Sequence, residues 1–234
     1  MKFKSIFSKS YLEYKKYFRN IFLVSLIFVG IPLLLGDIFN LNDPYFYDKL
    51  TNGLSLDTIF LYFLLFLVTI ILNFIYEAGL INSSIKGKFN FYDIIISGKR
   101  NFWKFVWFSI VSLFFIILLF LALIIPGIIF SIYWSLAIFV YFDKRKTVIE
   151  SLKISFNIVK GNWWKIFGYT ILLFLAFSIF GLIIVILVNY VSNNYLNLIL
   201  NNLVNFIYTI ISVPFSILFY KNIYLELRNK IGKK

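Results

Sequence analysis

Nine basic residues fall in short clusters able to act together: Lys99, Arg100 and Lys104; Lys144, Arg145 and Lys146; and Lys153, Lys160 and Lys165. Cations so grouped suit phosphate, and beside an anionic bilayer each contributes about 1 kcal/mol of attraction. The competing reading is that they bind nothing and only hold their loops on the cytoplasmic side. Glu77, followed by Ala78 and Gly79, is the candidate functional acid. It could pair with a cytoplasmic Lys, contact an amine headgroup, or merely snorkel to the interface. Trp103, Trp163 and Trp164 read as interfacial anchors, with the ring among headgroups and the N–H toward water. The chain has no His and no Cys. That removes His general bases, thiol nucleophiles, disulfides and the usual zinc sites. With no metalloprotease helix, nucleophile elbow or P-loop either, the expectation is of no enzyme, no cofactor and no metal.

The elements that position these residues follow from composition. Of 234 residues, 61% are hydrophobic and 14% charged, with 30 Phe, 16 Tyr and 5 Trp. Soluble domains average roughly 45–50% and about 25%. The solvent of this chain is mostly lipid, and the expected fold is an all-α, polytopic membrane helix bundle forming one domain over 1–234. The formal charge of +13 raises nucleic acid as a partner. The distribution argues against it, because the cations sit in short clusters between long apolar runs.

Six spans are expected, near 20–36, 57–77, 104–125, 127–142, 165–191 and 203–221. Crossing the hydrocarbon takes about 20 apolar residues. Arg19 and Asp37 bracket 17 uncharged residues, and Thr58 to Tyr76 supply 19. The run Phe105 to Phe142 holds 38. As one helix it would reach about 57 Å, so it must fold back, and Pro126-Gly127 is the expected turn. The run of 55 from Ile166 to Tyr220 is divided by the Asn-rich stretch Ser192 to Asn202, read as a loop. Pro214 should kink the last span. With alternating spans, the N-terminus, 77–104, 143–165 and the C-terminus share one side and carry 22 of the 23 Lys and Arg. Only Lys49 lies opposite, beside Asp37, Asp43, Asp48 and Asp57. The positive-inside rule then puts both termini in the cytoplasm. No small-residue cleavage site follows the first apolar run, which reads as a retained signal anchor.

Two segments are expected to lie on the cytoplasmic surface as amphipathic interfacial helices, near 147–160 and 90–99. Thr147 and Glu150 form a capping box, and Gly161 suits the stop. Val148, Leu152, Phe156 and Val159 fall within about 80° of one another, with Glu150, Lys153, Asn157 and Lys160 on a separate arc. A helix packed on the bundle without lipid contact is the alternative. Asn90 caps the second segment, and residues 11–18 are a candidate third. Asn101 to Ile110 echoes Asn162 to Ile171 at an offset of 61, with Asn, Trp, Lys and the final Ile coinciding. This pattern is what an internal repeat, or shared selection for interfacial Trp and Lys, would give.

Residues Ile125 to Tyr169 run Ile-Pro-Gly, a span ending at Asp143-Lys144, the Val-Ile-Glu-Ser-Leu-Lys helix, and Lys160-Gly161-Asn162-Trp163-Trp164-Lys165. This resembles the prokaryotic six-helix membrane families that include the membrane domain of some glycerophosphoryl diester phosphodiesterases. The resemblance implies that fold and a prokaryotic cytoplasmic membrane. It carries over no catalytic residue, since the phosphodiesterase activity belongs to a soluble domain.

Two functions fit. One is a lipid-associated or scaffolding protein whose cytoplasmic clusters hold anionic lipid, a membrane protein partner or a second copy. The other is a transporter or channel component for an apolar or amphipathic substrate, because only Asn, Ser, Thr and Tyr lie within the spans. A groove open to lipid or cytoplasm favours the first, and a continuous water-lined path the second.

Overall fold

In a chain this apolar every backbone N–H and C=O must be bonded internally, and the helix does so within one segment. The computed structural model describes residues 2–32, 56–191 and 194–231, all of whose regular elements are helices. They are α1 (Phe3–Ser25), continued by a π turn (Leu26–Gly30), α2 (Leu56–Lys86), α3 (Phe91–Ala122), α4 (Ile124–Trp134), α5 (Ala137–Lys144), α6 (Val148–Val159), α7 (Trp163–Val191) and α8 (Asn194–Ile231). Five segments are long and apolar enough to cross a membrane: Ile59–Lys86, Phe91–Ala122, Ile124–Lys144, Trp163–Leu187 and Leu203–Lys230. They are consistent with a multi-pass membrane protein. The expected first span is helical up to residue 32 and is not among the five. Residues 33–36 lie outside the described ones.

The turn between the third and fourth expected spans falls at Leu123, not at Pro126-Gly127. Leu123 alone is extended, and α4 starts at the next residue. Pro126 is thereby the third residue of α4, where a backbone N–H has no partner within the helix anyway. A helix running unbroken through Pro126 would instead drive the ring into the carbonyl of Ala122. Residues 91–99 are likewise no separate surface helix but the first turns of α3. Asn90 stands at the cap position, but its side chain bonds Asp93 (3.3 Å) rather than a backbone N–H. Residues 11–18 sit inside α1. The Asn-rich stretch is helical from Asn194 on, because the helix already bonds its backbone, and Asn disfavours a helix only slightly.

Pro214 lies within α8 without ending it. Its missing N–H leaves the carbonyl of Ile210 free, and the Tyr14 hydroxyl of α1 donates to that oxygen (3.2 Å). Contacts then step along both helices in opposite directions. Phe3 meets Phe219, Phe7 meets Phe215 and Phe22 meets Phe206, so α1 runs antiparallel to α8. A buried polar cluster joins the same pair. Lys221 Nζ lies 2.6 Å from Glu13 Oε2, and Asn222 donates to that oxygen (3.1 Å) and to Ser10 Oγ (3.0 Å).

α2 and α3 form a hairpin with backbones in close approach. A Cβ on Gly79 would collide with the Ile94 carbonyl, and one on Gly98 with that of Ile75. Small residues are the means by which helices approach this closely in lipid, where no hydrophobic force drives them together. The main core joins Ala78 and Ile81 of α2, Leu136 and Val140 at α5, Ile158 and Val159 of α6, Ile166 of α7, and Phe219 and Ile223 of α8. At α6 the capping box is formed (both bonds 3.3 Å), and Gly161 takes φ +86, as that stop requires. The apolar face of α6 turns into the bundle: Val148 and Leu152 pack with Phe108 and Ala137. Glu150, Lys153, Asn157 and Lys160 stay exposed. Docking on protein therefore accounts for most of its apolar arc.

Candidate functional site

Basic residues of α2, α3 and α5 converge. α2 ends on Lys86, α3 carries Arg100 and Lys104 at i,i+4 on one face, and α5 ends immediately before Arg145 and Lys146. These five cations line one cavity of about 500 Å³, with Asn82, Asn101 and the ring of Tyr141. Arg145 takes a left-handed backbone (φ 51, ψ 37) at the end of α5. That conformation commonly ends a helix, and here it turns the chain from α5 toward the cap of α6.

Two features of the cavity bear on what it could hold. No carboxylate lines it, and among the described residues none of its cations forms an ion pair. Asp143, three residues before Lys146, is engaged elsewhere: its Oδ2 accepts from the Tyr224 hydroxyl (2.6 Å) and from Arg228 (2.7 Å) of α8. Five like charges left together repel, and a phosphate among them would turn repulsion into charge-assisted hydrogen bonds. The second observation is Asn82. It is 5% exposed, lines the cavity and has no hydrogen-bond partner among the described residues. Its amide opens to the cavity, where a ligand oxygen could accept from its N–H groups. Asn101 (7% exposed) spends one amide N–H on the Ser97 carbonyl (2.8 Å).

The nine basic candidates thus divide. Arg100, Lys104, Arg145 and Lys146 come together, while Lys99, Lys144, Lys153, Lys160 and Lys165 are exposed outside the cavity. Lys153 borders a groove with Phe130, Trp134 and Phe156, and Lys165 one of about 650 Å³ with Ile125, Ile128 and Trp164. Both grooves are walled by carbon, and a Lys at such a rim snorkels. Lys86, Asn82, Asn101 and Tyr141 were not singled out from the sequence. Only the return of α3 past the end of α2 makes Lys86 a neighbour of Arg100.

Trp103 and Trp164 are each 77% exposed, as anchors would be. Trp163 is half-buried instead: it stacks on Phe167 (5.0 Å) and donates to the Ile129 carbonyl (3.1 Å), tying α7 to α4. The two halves of the sequence echo differ in setting, since Asn101 lies inside α3 whereas Asn162 precedes α7. Glu77 is remote from the basic cavity. It lines a groove among α2, α7 and α8. Among the described residues, no group that could hold a metal, meaning three or more acids, is present. Compared with known proteins, the chain matches no family model, no curated protein and no solved structure.

Proposed function

We propose that this chain is a six-span protein of a prokaryotic cytoplasmic membrane, with both termini in the cytoplasm, that holds the phosphate-bearing headgroup of an anionic lipid in the cavity among α2, α3 and α5. The likeness of residues 125–169 to the six-helix families belongs to this reading. What carries it is the set of five unpaired cations around the unpartnered Asn82. The sixth span is supported by the helix that continues to residue 32 and by Phe22 within it, which packs on Phe206 of the last span. Orientation is supported by the charge count, with the cavity on the side that holds 22 of the 23 cations. Lipid retention is favoured over a transport path because the two polar openings sit on different sides of α2: Glu77 and Asn82 are about 140° apart around its axis.

The test compares two triple variants that remove equal charge. Arg100→Gln with Lys104→Gln and Arg145→Gln strips the cavity; Lys99→Gln with Lys144→Gln and Lys153→Gln strips the surface. Each cavity cation would give up a direct charge-assisted hydrogen bond to phosphate, so the first should weaken retention of co-purified phosphatidylglycerol or cardiolipin by roughly 100-fold or more. The second loses only the weaker surface attraction and should stay within about tenfold of wild type. Equal retention by both, read by mass spectrometry of the purified protein, would mean that the cations serve topology alone.

A further inference from the structure

The groove that Glu77 lines is the second unexplained feature. It occupies about 420 Å³ among α2, α7 and α8. Its walls are Leu, Phe, Val and Ile side chains with the Tyr208 ring, into which Glu77, Ser212, Ser216, Thr170 and Tyr220 bring polar atoms. Helix rise puts Glu77 about 13 Å along α2 from Lys86, so it lies beneath the level of the basic cluster. Tyr220 and Thr170 satisfy each other (3.0 Å), and Thr170 also bonds back to the Ile166 carbonyl (2.9 Å). Glu77, Ser212 and Ser216 do not: among the described residues none has a hydrogen bond or ion pair. Several serines elsewhere bond to their own helix, as Ser10, Ser25 and Ser151 do, while Ser155 donates to the Tyr133 carbonyl of α4 and Ser112 has no partner among the described residues. Ser212 is only 9% exposed and still leaves its hydroxyl to the groove. An ionisable group at membrane depth is expensive unless something pairs it, and such a residue is a functional-site hypothesis by default.

We propose that this groove binds the protonated primary amine of an amphiphile, its alkyl chain lying along the apolar walls. The fit is chemical. A primary ammonium brings one positive charge and three N–H donors, and the groove offers one carboxylate and two free hydroxyl acceptors. A hard metal ion would require about six oxygens and no carbon walls. The volume is within the range of sites for small molecules. The site is independent of the anion cavity, which opens on another side of α2. Its failure and that of the lipid-phosphate reading are therefore separate results.

The experiment titrates the full chain in phosphatidylcholine nanodiscs with dodecylamine, dodecyltrimethylammonium and dodecanol, read by calorimetry. Wild type should bind the amine about tenfold more tightly than the alcohol, with the trimethylated cation between them. Glu77→Gln should abolish the preference for amine over alcohol. Ser212→Ala with Ser216→Ala should bring the primary amine down to the trimethylated one, provided each variant elutes and melts like wild type. Replacing part of the phosphatidylcholine with phosphatidylethanolamine separates the two sources of the amine. Competition identifies a bilayer aminolipid, and its absence a diffusible amphiphile. An unchanged preference in Glu77→Gln, or wild type binding the three ligands alike, overturns the proposal.

Discussion

The pair that joins α1 to α8 predicts an asymmetric response to mutation. Lys221 is 3% exposed and Glu13 26% exposed, with Nζ and Oε2 2.6 Å apart. Glu13→Ala strands an ammonium that has no other carboxylate partner among the described residues and little water. Removing one partner of a buried pair costs about 3–5 kcal/mol, because the desolvation of the other is left uncompensated. Lys221→Met removes the charge instead and leaves a long apolar side chain in the same space. Glu13 can then turn to solvent while still accepting from Asn222 (3.1 Å), so the cost should be about 1 kcal/mol. The double variant should resemble Lys221→Met and not the sum of the two, a coupling about as large as the Glu13→Ala loss itself, roughly 3–5 kcal/mol. Asn222 also bonds Ser10 Oγ (3.0 Å), so Glu13→Ala costs it only one of two acceptors. Reversible unfolding in mixed micelles of rising sodium dodecyl sulfate fraction measures each corner of the cycle. A loss below about 1 kcal/mol in Glu13→Ala, or a double variant as unstable as Glu13→Ala, would refute the burial argument.

Two further outcomes are expected. Tyr14→Phe should cost about 1–2 kcal/mol in wild type, where the Ile210 carbonyl lacks the bond Pro214 cannot make, and nearly nothing beside Pro214→Ala, whose restored N–H fills that carbonyl. Because the chain has no Cys, single-cysteine labelling reads orientation directly. A membrane-impermeant maleimide on intact cells should modify Lys49→Cys and spare Lys153→Cys, and the reverse pattern would invert the topology.

Much of the molecule was legible in the linear chain because lipid allows few solutions. Runs of 38 and 55 uncharged residues can only be helices that fold back, and Thr147, Glu150 and Gly161 mark the ends of α6 by local chemistry. These signals lie within a few residues of what they specify. The exact break at Leu123 was not legible, since a proline excludes a continuous helix but leaves several residues at which to end it. The helical Asn-rich segment was misread for a related reason: side-chain polarity argues about depth in the membrane, not about backbone conformation.

The amino-acid order alone determined the all-helical class, the exclusion of His and Cys chemistry and the grouping of cations, each being a matter of composition or near spacing. Which cations meet, and around what, only the tertiary structure decided. Arg100 and Lys99 are adjacent and equally charged, yet one lines the cavity and its neighbour faces away. Their directions differ by about 100° around α3, and which direction faces α2 is set by how deeply Gly79 and Gly98 let the two backbones approach. Asp143 could have neutralised the cluster, but α8 returns from more than eighty positions away to take it with Tyr224 and Arg228. Charge is written along the chain; whether it is left unpaired depends on contacts between residues far apart in it.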